Sequence, residues 1–462
     1  MSQDRRTLDR RDFLKTTAAG LGAGAVAASV LNAEEKAAEA PKVNEKDLIW
    51  RGKAPTMEYR RLGRTNFMVS RIVAGNGGDD ALRAKMLERG MNYFDTGRHY
   101  GNHEVELKGF LKEYRDKLWI TSKASGVAGW DKIDAEVEKL YRAAMKSFLG
   151  EDQGDLLALH KKCLEKQKAG GGRPDWRPVG RRIASEYARK LDESLERMGI
   201  ETVDAYFMHG VEIPWIWQCT ELWEAYEKAH KAGKVRHFGF SCHKHHKEVL
   251  AAAVEANQQG PWKIDVVMPG VNPESFDTLK PELAALKKQD VGVIAMKTKG
   301  IAGRPVDGRE EKFKSLTDGK EYNEWERAKL WMLHLSEGLV DACIARMDNN
   351  QQMAKDLELP MVKLTAAARR ELRTLVKLEM GSTCHLCGNC ETNCPEHIAV
   401  TDMVRYHSYL HQYNDKELAR ELYAMAGYDP AKVCSNCGRC AEACDSGVKI
   451  TEILHQLSTQ LA

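Results

Sequence analysis

Tyr93-Phe94-Asp95-Thr96-Gly97-Arg98-His99-Tyr100-Gly101 opens on aromatic residues and breaks at a carboxylate followed closely by glycine. It reads as a buried strand over residues 92–95 that delivers a polar group at its C-terminal end. The pattern recurs: Ile120-Thr121-Ser122-Lys123 closes on a lysine and Ala205-Tyr206-Phe207-Met208-His209 on a histidine. These three runs, over residues 92–95, 118–122 and 205–208, make eight candidate strands with residues 71–74, 237–241, 266–268, 292–296 and 342–345, all separated by helical patterns. Short apolar runs alternating with helices specify a parallel sheet. Eight such units predict an α/β fold, a (β/α)8 TIM barrel whose site lies at the strand C-termini.

Between the third and fourth strands the chain is longer than a barrel needs. Residues 125–182 carry a helical stripe at Ile133, Val137, Leu140, Ala144 and Phe148 and a Gly170-Gly171-Gly172 break. This insertion is expected over the barrel mouth, as a lid or a docking surface. After Ser241 and Cys242 come His243, His245 and His246, read as a solvated loop at the mouth, with a metal or an anionic substrate as the other readings.

Asp95, Lys123 and His209, each closing a strand, form one constellation with Tyr100 in the loop after Asp95. Glu104, Leu191-Asp192-Glu193-Ser194-Leu195 before Asp204, and Gly233-Lys234-Val235-Arg236-His237-Phe238-Gly239-Phe240-Ser241 accompany them. So does Met57-Glu58-Tyr59-Arg60-Arg61-Leu62-Gly63 near the start. Together these residues resemble the aldo-keto reductases from Met57 to about Leu357. The resemblance implies a barrel over residues 56–363 that reduces a small carbonyl or oxidises an alcohol, a sugar or hydroxy acid being candidates. Tyr100 would be the general acid. A phenol protonates an alkoxide more readily beside a cation, which Lys123 supplies; Asp95 would hold Lys123 charged and His209 would orient the substrate oxygen.

The resemblance also implies NAD or NADP, with Ser241 on the carboxamide, Lys297 on the pyrophosphate and Arg346 as a phosphate clamp. Here the chain departs from the family. Cys242 follows Ser241, Met268 stands where a glutamine is usual, and Ile344-Ala345-Arg346-Met347-Asp348 lacks the expected glycine. Asp348 would repel a 2′-phosphate.

Eight of the twelve cysteines fall in two runs, Cys384-x2-Cys387-x2-Cys390-x3-Cys394 and Cys434-x2-Cys437-x2-Cys440-x3-Cys444. Three closely spaced thiolates serve one [4Fe–4S] cluster and the fourth serves its neighbour, so two clusters are expected. One would use Cys384, Cys387, Cys390 and Cys444, the other Cys434, Cys437, Cys440 and Cys394. Zinc usually has a longer loop between its pairs, and a chain this long needs no disulfide framework. Asp445 stands where the first run has Pro395, which removes no ligand. Cys163, Cys219, Cys242 and Cys343 are scattered ordinary thiols. Residues 375–462 are expected to form a small helical domain, with Met403, Tyr406, Leu410 and Tyr413 on one face and Leu418, Leu422 and Met425 on another. It resembles the α-helical ferredoxin modules of succinate dehydrogenase and heterodisulfide reductase subunits.

Arg10-Arg11-Asp12-Phe13-Leu14-Lys15 and the Ala/Gly-rich stretch after it look like a twin-arginine export signal over residues 1–40, implying a periplasmic protein. That route carries folded, cofactor-loaded chains. The 70 basic and 67 acidic residues leave +3, so nothing calls for nucleic acid, and no further segment is long enough to span a membrane. Two classes of function stand open: an oxidoreductase with electrons linked to the clusters, or an exported electron-transfer or binding protein whose barrel has lost nicotinamide. A redox partner protein belongs with either.

Overall fold

The computed structural model describes residues 43–127, 133–154, 156–300, 308–381 and 383–461. Strands β1 (Tyr59–Arg61) and β2 (Met68–Ser70) form an antiparallel hairpin. The next eight are parallel and closed: β3 (Ile72–Ala74), β4 (Tyr93–Asp95), β5 (Trp119–Ala124), β6 (Val203–Met208), β7 (Val235–Cys242), β8 (Val266–Pro269), β9 (Gly292–Ala295) and β10 (Ala342–Ala345). β10 pairs with β3 at Ile344 and Val73, closing the ring. All eight expected strands are present; three are a residue shorter than expected and four others reach one to three residues further.

The period-two alternation of a strand builds the barrel interior. Val73, Tyr93, Trp119, Ala205, Phe207, Val266, Met268, Ile294 and Ala342 pack together there, with Leu62 and Phe67 brought in by the hairpin. Phe67 meets Trp119 at 5.0 Å between ring centroids, so the hairpin closes the end where the strands begin. Gly239 on β7 is required by this packing. A Cβ there would lie 2.3 Å from Phe207 and 2.5 Å from the carbonyl of Val266. Continuing the same alternation, Tyr93 is followed by Asp95, Thr121 by Lys123, Phe207 by His209 and Gly239 by Ser241, so the polar residues gather at the opposite end.

The insertion contains helices Ala135–Leu149 and Leu156–Lys168. Val137, Tyr141 and Met145 are its buried face; Leu140, Ala144 and Phe148 of the expected stripe are partly buried beside them. Tyr141 stacks on Trp176 and meets Trp215, which lies in the short Pro214–Gln218 helix after β6. These helices therefore flank the mouth beside the β6 loop. What stands over Lys244, Lys297 and Arg346 is the C-terminal region, contrary to the expectation that the insertion would cover the mouth.

That region begins after helix Ala366–Met380. Helices Val400–His411, Lys416–Ala426 and Ile450–Leu461 enclose a separate core of Ile398, Met403, Tyr406, Leu422, Leu454 and Leu457. Tyr413 of the expected face is exposed, and Tyr409 is buried instead. No helix among the described residues is long and apolar enough to cross a membrane. The twin-arginine stretch lies outside the described residues.

Candidate active site

Lys123 is the centre of the polar group. Its ammonium donates to Asp95 at 2.5 Å, to the carbonyl of Thr96 at 2.7 Å and toward the Tyr100 hydroxyl at 3.4 Å. Burial pushes Asp95 up and Lys123 down, and in each case the partner's charge opposes the shift. Burial likewise raises Tyr100 well above an ordinary phenol, assisted by the negative charge of Asp95 and of Tyr409. The site thus holds its proton on Tyr100. His209 meets the Tyr100 ring edge-on at 5.6 Å, and burial first, then Lys123, hold it neutral. All four expected residues are together.

The sequence reading missed Ser125, whose hydroxyl bonds His209 Nδ1, and the buried link from Ser122 to Glu104 at 2.6 Å and on to Arg197 at 2.9 Å. Ser125 follows Lys123 by one strand period, a signal that was available.

The expected nicotinamide contacts have other partners. Ser241 is fully buried and accepts from the Gly210 N–H at 3.0 Å. Lys297 donates to the Tyr409 hydroxyl at 3.1 Å, and Arg346 bonds Asp348 at 3.1 Å and Asp415 at 3.3 Å. Tyr409 and Asp415 belong to the C-terminal domain. The histidine loop is a further correction. His243, His245 and His246 are buried, His245 against Gly388 and Glu391 of that domain, His246 against Gly270 and His243 beside His209 of the barrel.

The two cysteine runs fold alike. Leu386 and Asn436, then Gly388 and Gly438, take left-handed backbone, and each run continues into a four-residue helix bearing its third cysteine. Cys394, Cys434, Cys437 and Cys440 line one pocket together with Ile398, Val400 and Leu454. The remaining four are neighbours: burial, then the charges of Cys387 and Cys444, push Cys384 up to about 12, and Cys390 is raised by burial and, among other charges, by Cys384 and Cys387. These are the crossed sets expected from spacing. No His, Cys, Asp or Glu group among the described residues is gathered for a single metal ion, whereas a cubane spreads its thiolates over four irons. The donor sets fit [4Fe–4S] clusters.

Residues 79–337 match the model of the aldo/keto reductase family, over half of the chain. The chain belongs to the aldo/keto reductase family. Residues 380–448 match a 4Fe-4S dicluster domain. The chain is also 27% identical over 196 residues to the uncharacterized oxidoreductase YrpG of Bacillus subtilis, an alignment covering 40% of this chain and about half, 49%, of that protein. The aldo-keto reductase AKR11C1 of Bacillus halodurans, in its holo form, is 18% identical, covering 70% of this chain and 97% of its own with a TM-score of 0.43. The PA4992 aldo-keto reductase of Pseudomonas aeruginosa is 18% identical, covering 65% and 94% with a TM-score of 0.42. This aldo/keto reductase thus carries a 4Fe-4S dicluster domain after its barrel.

Proposed function

We propose that this protein reduces a small carbonyl compound, or oxidises the corresponding alcohol, at the tetrad of Asp95, Tyr100, Lys123 and His209. The observation that carries the reading is the Asp95–Lys123–Tyr100 relay, a buried ion pair ending on a protonated phenol at the mouth of the barrel. Tyr100 gives its proton to the oxygen that becomes the alcohol. Lys123, fixed by Asp95 and the Thr96 carbonyl, stabilises the phenolate left behind. When Ser125 donates to Nδ1 of His209, the neutral ring carries its proton on Nε2 and orients the substrate oxygen.

Two [4Fe–4S] clusters on the crossed cysteine sets would supply single electrons when bound, so the two electrons of the carbonyl–alcohol couple would come one from each cluster, replaced by the redox partner, and carbon would take the second proton from water. Cys387 and Cys437 are exposed, which supports exchange with a redox partner protein at that surface. Export by the twin-arginine route belongs to the same proposal and rests on Arg10, Arg11 and the segment after them; cell fractionation of wild type and an Arg10→Lys, Arg11→Lys variant checks it.

Turnover of carbonyl and alcohol panels with a viologen dye, under anaerobic conditions, tests the chemistry. Tyr100→Phe is expected to lose about 10²-fold or more of the rate with its iron content unchanged. Equal rates in both proteins would remove Tyr100 from the mechanism. The alternative, an electron-transfer protein with a silent tetrad, predicts turnover of none of these compounds.

A further inference from the structure

The C-terminal domain grips the barrel mouth from three strand ends. At the end of β9, Lys297 donates to Tyr409 and its ammonium lies 5.0 Å from that ring's centroid. At the end of β10, Arg346 reaches Asp415. In the loop after β7, Lys244 bonds Asp402 at 3.0 Å and Glu391 at 3.3 Å, with Glu212 of the barrel at 3.1 Å. Beside it the His245 ring fills the space over Gly388, where a Cβ would lie 2.0 Å from it.

This is a built interface. Lys244, His245, Glu391 and Asp402 are all buried, and a buried ammonium requires the carboxylates it has found. His245 and Lys297 both take left-handed backbone, φ 51° and 53°, which is uncommon for residues with side chains and is held here under the domain.

We propose that the C-terminal domain occupies the dinucleotide seat of this barrel, so that the docked domain and bound NAD or NADP exclude one another. The inference rests on the assignment of Lys297 and Arg346 as the cations that would meet the dinucleotide phosphates. Both now serve acidic oxygens of the chain itself, the Tyr409 phenol and the Asp415 carboxylate. Tyr409 and Asp402 lie on the same helix, Val400–His411, so that one helix meets both Lys297 and Lys244 at the mouth. Tyr100 nevertheless keeps partial solvent contact, which leaves room for the approach of a small substrate.

The test is equilibrium binding of NADH and NADPH to the anaerobically purified holoprotein, paired with hydrogen exchange over residues 400–415, in wild type and in Lys244→Glu. Placing a fourth carboxylate among Glu212, Glu391 and Asp402 should undock the domain without touching a cysteine. Wild type is expected to show no saturable binding. Lys244→Glu, with iron and sulfide retained, is expected to exchange faster over 400–415 and to bind NADPH at least about tenfold more tightly. If Lys244→Glu loses iron, the Tyr409→Ala, Asp415→Ala double variant takes its place with the same two readouts. Saturable binding to wild type with no change in exchange would overturn the proposal, because seat and domain would then be compatible. So would an undocked variant that still binds neither nucleotide. Since the readout is binding, the result stands even for a protein inactive on every carbonyl tried.

Discussion

Asp95 and Lys123 hold opposite charges in a site from which water is almost excluded, their side chains 2% and 1% exposed. Neither charge is stable there without the other. Lys123→Met is therefore expected to destabilise the barrel by about 3–5 kcal/mol in denaturant unfolding, because it strands a buried carboxylate. Tyr100, held well above an ordinary phenol by burial, stays protonated through the alkaline range. The pH profile of carbonyl reduction should then lack the fall near about pH 10 that an unperturbed phenol would impose. Asp95, Lys123 and His209 were legible in the sequence because each follows an apolar strand, and a strand's alternation fixes where its last residue points. Lys244, Glu212 and Tyr409 were not, because each acquires its role from a partner far away in the chain. Ser125 was legible in principle, one strand period beyond Lys123.

Among the elements, the loop after β7 shows how tertiary contact overrides local composition. Three histidines and a lysine in one short stretch read as a solvated loop, yet all four are buried, Lys244 and His245 against Glu391 of the short helix Asn389–Thr392 and Lys244 also against Asp402 of the helix Val400–His411. Within that interface burial pushes Glu212 up to about 8, with Lys244 opposing the shift and Asp402 and Glu391 adding to it. The folded state therefore binds a proton that the unfolded chain releases at about pH 4.3. That contribution is fully present below the unfolded pKa and is lost as pH rises through about 8. Asp402, raised to about 6, acts in the same sense, whereas Glu391, held low, acts in the other. Stability measured by denaturant should fall between pH 5 and 8 by up to about 1.4 kcal/mol per pH unit from Glu212, and Glu212→Gln should remove that share of the slope. At Gly388, φ of 85° and the His245 ring both exclude a side chain. Gly388→Ala should speed hydrogen exchange over Val400–His411 while leaving the barrel strands protected. An unchanged pattern would mean that His245 is not part of the seat.

At the scale of the molecule, two domains with separate cores meet at Lys244, Lys297 and Arg346. The barrel, its eight strands and the helical cysteine domain were legible because hydrophobic period and cysteine spacing are local signals. The docking of one on the other was not, since Lys244, Lys297 and Arg346 carry no mark that partners from beyond residue 390 reach them. The small domain has a modest core, so its clusters would contribute much of its stability. Oxidative removal of iron with a chelator should release exchange protection in Val400–His411 and Ile450–Leu461 before the barrel unfolds. The central claim is that iron–sulfur clusters and the tetrad share a mouth closed to dinucleotide. Its most direct test is the iron, sulfide and nucleotide content of protein purified without oxygen. The account predicts about eight irons and about eight sulfides per chain with no NAD or NADP released on denaturation; a stoichiometric dinucleotide in the same preparation would contradict it.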